Sequence, residues 1–506
     1  MHRIILCIAG GLALLAGCAL PVPGSPLSTA GAPAAPVQAS PRPGASSAAT
    51  PVPNLPGEAA SALATSTTVP AAAPLLPGQG SPLGKLAFVQ GGAIWAMDLP
   101  AGRPQRATGG PADQGPRWSA SGDWLAYQRG QDELWAVSAV TGLAHQLQGC
   151  QSTPRSWAWS PVSDRLACIT TAGGLATMNA DGTGRTTPGT PASDQLGSGG
   201  GRLAWSPDGK WLAFAPVEKI GSGQPSRLAA SLWRIAADGS GAIELANAGK
   251  PSDHGFIVAG WSPDGSRVLY WTDPVFSASI LADGVPLFSV PANGGPPAQL
   301  GPSGAPWAVP SDGGMLVHPD WLAVGPPASG GSGQVAVIFG TGRETWTDKR
   351  LGLVNPVSGQ VTWLTATGMA ASSPNWSPDG NFAAYAAMAD AGNLGGGDLA
   401  RQALMGRRIY IVNTVGTAQP RQLTRDAGYR DEHPAWSADG QQILFARLEA
   451  TGGASLWLVP VVGGQPRLVL GGLDPALAGG WLGYYGHVNW ESMYDWWSGD
   501  KGRTAP

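Results

Sequence analysis

The chain has 506 residues, 30 of them basic and 33 acidic, for a formal net charge of −3. A balance this close to neutral excludes nucleic acid, or any acidic polymer, as an electrostatically driven partner. Apart from its N-terminal stretch, the length suits one large domain and requires no second globular one.

Residues 1–18 have the form of a targeting segment. A short basic start (His2, Arg3) precedes an apolar run over residues 4–15 and then Ala16-Gly17-Cys18. The run is short for a transmembrane helix. Leu15-Ala16-Gly17-Cys18 closely resembles the lipobox of bacterial lipoproteins. That resemblance implies removal of residues 1–17 and lipidation of Cys18; an ordinary signal peptide followed by a chance cysteine is the rival reading. Several acyl chains on one residue make a stable anchor. By the same resemblance, Ala19 is not the Asp that would retain a lipoprotein at the inner membrane. Residues 19–82 are dominated by Pro, Ala, Ser, Gly and Thr, with almost no charge and few large apolar side chains. Such a segment cannot bury enough surface to offset ordering, so it reads as a disordered tether. As a coil it reaches roughly 40–50 Å. The expected location is extracytoplasmic, lipid-anchored on the cell surface or on a periplasmic face.

Beyond residue 83 one pattern recurs. Trp205-Ser206-Pro207-Asp208-Gly209 returns as Trp261-Ser262-Pro263-Asp264-Gly265, Trp376-Ser377-Pro378-Asp379-Gly380 and Trp436-Ser437-Ala438-Asp439-Gly440, with looser copies at Trp118 and Trp159. In the last unit, a short extended segment ends at Trp436 and a Gly-bearing turn follows. Three apolar runs come next: Ile443-Leu444-Phe445-Ala446, Leu456-Trp457-Leu458-Val459 and Arg467-Leu468-Val469-Leu470. Four short strands joined by tight turns make one antiparallel blade. A blade cannot cover both its faces alone, so its neighbours must stack on it. The expected fold is all-β: a single β-propeller of four-stranded blades over residues 83–497, with residues 498–506 as a loose tail. The motif Trp residues are expected to pack between blades.

The chain opens with Lys85-Leu86-Ala87-Phe88, Ile94-Trp95-Ala96-Met97 and Arg106-Ala107-Thr108, which read as the second to fourth strands of a blade lacking its first. Val488-Asn489-Trp490, alone after the last full unit, is expected to supply that strand and close the ring. Counting blades gives eight, with seven as the alternative if part of residues 305–365 is an insertion. In that stretch the motif has decayed either to Trp307-Ala308-Val309-Pro310-Ser311-Asp312-Gly313 or to Pro319-Asp320-Trp321, and both remain open.

The repeat resembles the PD40 (WD40-like) repeats of TolB-like β-propellers. The likeness rests on Arg421-Gln422-Leu423-Thr424, on Asp431-Glu432-His433-Pro434-Ala435-Trp436-Ser437-Ala438-Asp439-Gly440 and on Ile443-Leu444-Phe445. It covers residues 83–470 and specifies fold far better than function. TolB itself carries an α/β domain before its propeller; here an anchor and tether hold that place. Members of the wider class bind proteins or glycans, or serve as non-catalytic domains of peptidases.

No catalytic constellation is visible. There is no Gly-x-Ser-x-Gly followed by an α/β domain, no His-Glu-x-x-His and no phosphate-binding loop. His145, His254, His318, His433 and His487 fall in different units without ligand spacing, and each Ser-Pro-Asp-Gly turn offers a single carboxylate, too few for calcium. No metal or cofactor is expected. Cys150 and Cys168 stand where an oxidising compartment would bridge them, with a buried free pair as the alternative. Binding is expected on the face that carries three long loops, residues 215–231, 272–284 and 387–407. Polar residues of that face, Asp113, Asp253, His254, Tyr429, Arg430, Asp431 and His433, are the candidate contacts. Asp113 and Asp431 share the setting Asp-x-x-Pro-x-Trp, and capping of local backbone amides is the plainer role for them. The aromatic stretch of residues 484–497 reads as packing for the closing blade or as a sugar- or protein-binding platform. The expected function is a non-enzymatic protein-binding or scaffold module of the cell envelope, with an envelope protein as its partner. A glycan-binding or glycan-cleaving propeller is the alternative.

Overall fold

The computed structural model describes residues 83–153, 155–188, 202–215, 231–247, 255–273, 285–302, 316–326, 333–340, 342–473 and 485–499. Each repeat is an antiparallel meander. The last runs Tyr429–Trp436, Gln442–Glu449, Ala454–Pro460 and Arg467–Leu473, hydrogen-bonded in that order. Units ending their first strand at Trp118, Trp205 and Trp261 have the same four-strand order. The Trp159 unit shows three strands, and its fourth edge is reduced to a bridge between Thr177 and Thr186. Two further meanders, Leu316–Val324 through Val361–Trp363 and Met369–Trp376 through Arg421–Gln422, merge into one eight-stranded sheet. A single parallel pair, Lys349 with Ala370, joins them. The molecule is a β-propeller; one helix, Gly397–Leu404, interrupts its strands among the described residues.

The second strand of each unit is covered on both faces by neighbouring blades. Gln442–Glu449, for example, is buried at every position but its two ends. That is why these strands read as continuous apolar runs rather than alternating ones. The Ser-Pro-Asp-Gly copies are hairpin turns. In each, the Ser hydroxyl donates to the Asp, as Ser206 Oγ does to Asp208 at 2.6 Å, and the same Asp accepts the amide of the residue after the Gly. Gly209 takes φ +68°, where a Cβ would also strike Val162. The Asp carboxylates are thus spent on their own turns.

Closure joins the two ends of the domain, but through a different strand from the one expected. Tyr494–Trp497 pairs with Lys85–Gln90, Lys85 opposite Trp497 and Leu86 opposite Trp496. The expected strand around residues 488–490 is instead a turn of 3-10 helix, Trp490–Ser492. The Asn489 side chain caps its end by accepting from the Ser492 amide, which bends the backbone out of strand geometry. Alternating burial of Tyr494 and Trp496 suits them to a sheet with one covered face, and Trp490, Tyr494 and Trp496 all pack the closing sheet.

The decayed unit follows neither expected motif. Trp376 donates its indole N–H to the Ala323 carbonyl, so Val324 occupies the place that Trp holds elsewhere. Trp321 lies three residues earlier, inside the strand Leu316–Val324, and Trp307 is outside the described residues.

Candidate functional site

The first strand of each unit borders the central channel, and one hydrogen bond repeats around it. The motif Trp donates its indole N–H to the carbonyl of the residue that precedes the Trp of the unit before. Trp159 bonds to Arg117, Trp205 to Ala158, Trp261 to Ala204 and Trp436 to Asn375, all at 3.0–3.1 Å. Three residues before the Trp, the strand bulges. Gly115, Ser373 and His433 stand at that place with positive φ, and the pairing register slips beside each. Bulges of this kind re-aim neighbouring side chains.

A cavity of about 840 Å³ lies against the first strands of the Trp118, Trp159, Trp205 and Trp261 units. One end meets Gln131 and Ser152, on the strand-two-to-three side; the other meets Ser121 and Asp164, in the hairpin turns. Small residues at the position before the Trp, Ala158 and Ala204, leave this space open. The exception is Arg117. It donates to the Glu491 carboxylate at 2.8 Å and to the Glu491 carbonyl at 2.8 Å, tying the C-terminal 3-10 helix to the first strand of the Trp118 unit. Burial alone would raise the Glu491 pKa. The charges of Arg117 and Arg155 outweigh it and bring the pKa down to about 2, so Glu491 is ionised at neutral pH.

The residues singled out from sequence are mostly committed inside the sheets. Asp113 is 1% exposed; it binds Arg129 through both carboxylate oxygens, at 2.7 and 3.1 Å, and accepts the Gly110 amide. Asp431 is fully buried and holds Arg447 in the same two-pronged way, at 2.7 and 3.0 Å. In both cases the partner is the residue directly opposite on the second strand. The shared Asp-x-x-Pro-x-Trp setting therefore encodes a cross-strand ion pair, with amide capping at Asp113. The Tyr429 ring lies 4.5 Å from the Arg447 guanidinium. Arg430 is fully buried, donating to Glu432 and to the Gly486 carbonyl. His433 Nδ1 is 2.7 Å from the Tyr494 hydroxyl, and burial holds the imidazole below its ordinary pKa. Asp253, His254, Cys18 and most of the loops 215–231 and 272–284 lie outside the described residues. The third long loop, 387–407, folds back onto the domain. Its helix buries Ala400 and Leu404 in the cluster that holds Trp346 and Trp490, and Asp390 accepts from Thr347 and from the Asp348 amide. Cys150 and Cys168 are joined as a disulfide, with their Cα atoms 5.6 Å apart. No group of three His, Cys, Asp or Glu side chains suited to a metal occurs among the described residues, nor any helix long and apolar enough to cross a membrane.

Glu432 centres a second, buried cluster. Arg407 and Arg430 both donate to one of its oxygens, and Trp490 Nε1 donates to the other at 2.9 Å. Burial pushes the Glu432 carboxyl up, and the two guanidinium groups more than reverse this, to about 2. Sequence reasoning passed over Glu432, Arg117 and Glu491. The signal for Arg117 was present: it is a charged residue at the place where the neighbouring units carry Ala158 and Ala204.

No protein-family model matches the chain, and no curated protein sequence does. Among solved structures, Porphyromonas gingivalis dipeptidyl peptidase 4 is similar with a TM-score of 0.52 and 11% identity, over 80% of this chain and 59% of that one. The dihydro-heme d1 dehydrogenase NirN gives 0.49 and 13%, over 78% and 75%. TolB from Acinetobacter baumannii gives 0.33 and 12%, over 77% and 66%. At such identities the likeness is one of fold alone. This chain spans 59% of the length of the dipeptidyl peptidase it matches.

Proposed function

We propose that this protein is an extracytoplasmic binding module, lipid-anchored through Cys18, that holds its ligand in the central channel and performs no chemistry on it. An eight-bladed ring is part of the proposal. The observation that carries it is the cavity of about 840 Å³ beside the Arg117–Glu491 pair. That volume lies within the range of ligand sites, roughly 300–1,000 Å³, and polar groups converge on it. The long-loop face has weaker support than the sequence suggested, because Asp113, Arg430 and Asp431 are turned into the structure and the 387–407 loop is packed down. A scaffold role, with an envelope protein docked over the channel mouth, remains within this reading.

The test places a photo-crosslinking residue at Gln131, on the channel, or at Val462, 90% exposed on a turn away from it, in the full-length protein in its native envelope. Adducts specific to the Gln131 position are expected. Equal labelling at both positions, or none, sinks the channel reading. Cys18→Ala is expected to move the protein from the membrane to the soluble fraction; a variant still membrane-bound removes the anchor from the proposal.

A further inference from the structure

We infer that the channel is built for an uncharged oligosaccharide of a few sugar units, an assignment that rests on the channel being the binding site.

Charge comes first. The ionisable groups lining the cavity are Arg117, Arg155, Asp164 and Glu491, two of each sign. They are already engaged with the protein. Arg117 holds Glu491, Arg155 adds to the positive potential on the same carboxylate, and Asp164 accepts both the amide and the hydroxyl of Ser121. A charged ligand would find no opposite net charge here, and seating it would cost its own desolvation.

The other polar groups of the lining are uncharged. Gln114, Gln128, Gln131 and Asn489 line the cavity. Gln128 donates to the Gln131 carbonyl and Asn489 accepts the Ser492 amide, so the amides of Gln114 and Gln131 are the ones offered to a ligand. Each offers a donor and an acceptor side by side, the pattern that matches vicinal hydroxyl groups. Ser152, Thr153 and Ser492 add hydroxyls. The half-buried indoles of Trp159 and Trp497 also border the space, and flat aromatic surface beside hydrogen-bonding groups suits a ring that is apolar on its face and polar at its rim.

An extended polypeptide fits less well. It would bind by pairing its backbone with the exposed edge of a first strand. On that edge the carbonyls of Arg117, Ala158 and Ala204 already accept the indole N–H groups of Trp159, Trp205 and Trp261. Strand addition would have to share these carbonyls with the bonds that tie one blade to the next.

The experiment uses the full-length protein in detergent micelles against an array of neutral di- and trisaccharides, and against an array of unmodified peptides. Hits are followed by intrinsic Trp fluorescence. Saturable binding to a saccharide is expected, weakened at least tenfold in Gln131→Ala and in Gln114→Ala. Both variants should keep the wild-type unfolding midpoint, since neither removes a buried ion pair. Binding to peptides alone, or saccharide binding unchanged in both variants, overturns the inference. A blank saccharide array together with Gln131-specific crosslinks to protein would overturn it too, yet leave the channel reading intact. Failure of the crosslinking itself removes both.

Discussion

Glu432 is one carboxylate serving two guanidinium groups and an indole in a place without solvent. Removing one partner from a buried ionic cluster strands the rest, at about 3–5 kcal/mol. Glu432→Gln is therefore expected to lower the urea-unfolding free energy by that amount, and a change below 1 kcal/mol would show that the cluster is dispensable. The pH dependence follows from the same group. Its folded pKa of about 2 lies below the unfolded value near 4.3, so its contribution is fully present above about pH 5 and is lost as pH falls toward 2. Wild type should lose stability over that window more steeply than Glu432→Gln in parallel denaturation series. Arg430 and Asp431, the two residues before Glu432, were legible as polar residues near the channel mouth. Their burial was not, because the arginines they pair with or stand beside, Arg447 and Arg407, lie 16 and 23 positions further along or back in the chain. No single unit of the repeat discloses which side chains turn inward at a bulge.

At the scale of one blade, sequence and structure agree closely. The turn, the continuous apolar second strand and the Trp that marks the end of the first strand all follow from local rules, and they recur unit after unit. What the Trp does across the seam is a property of two units together. Its indole buries apolar area and satisfies a carbonyl of the preceding blade, as in Trp205 to Ala158. Trp205→Ala is expected to cost about 3–5 kcal/mol in chemical denaturation. Trp205→Phe, which keeps most of the area and loses the hydrogen bond, should recover more than half. Equal losses in the two variants would mean that the bond, rather than the packing, carries the seam. The decayed unit shows where pattern reading fails. Val324 replaces the Trp and leaves no signature, although the Ala323 carbonyl before it is still used.

At the scale of the molecule, ring closure was legible and the closing strand was misplaced by a few residues. Val488-Asn489-Trp490 has an aromatic in the expected place, but Trp490 is drawn to Glu432 and the chain needs a further turn before it reaches Lys85–Gln90. Deleting residues 494–506 removes that pairing and uncovers the edge of the opening sheet. The truncated protein is expected to lose its single cooperative unfolding transition and to associate at micromolar concentration, as light scattering and calorimetry would show. A monomer with one sharp transition would mean that closure adds little.

The pairing of Lys85 with Trp497 also sets the rim at which the chain enters the ring. The chain enters the ring at Leu83, beside Trp496, at the end where the hairpin turns lie; Lys85 reaches the Gly122 carbonyl in one of those turns, at 2.8 Å. Gln131 and Ser152 belong to the opposite end. The way into the ring for the chain and the amide-lined mouth of the channel are therefore at opposite rims, one for the thread and one for the guest.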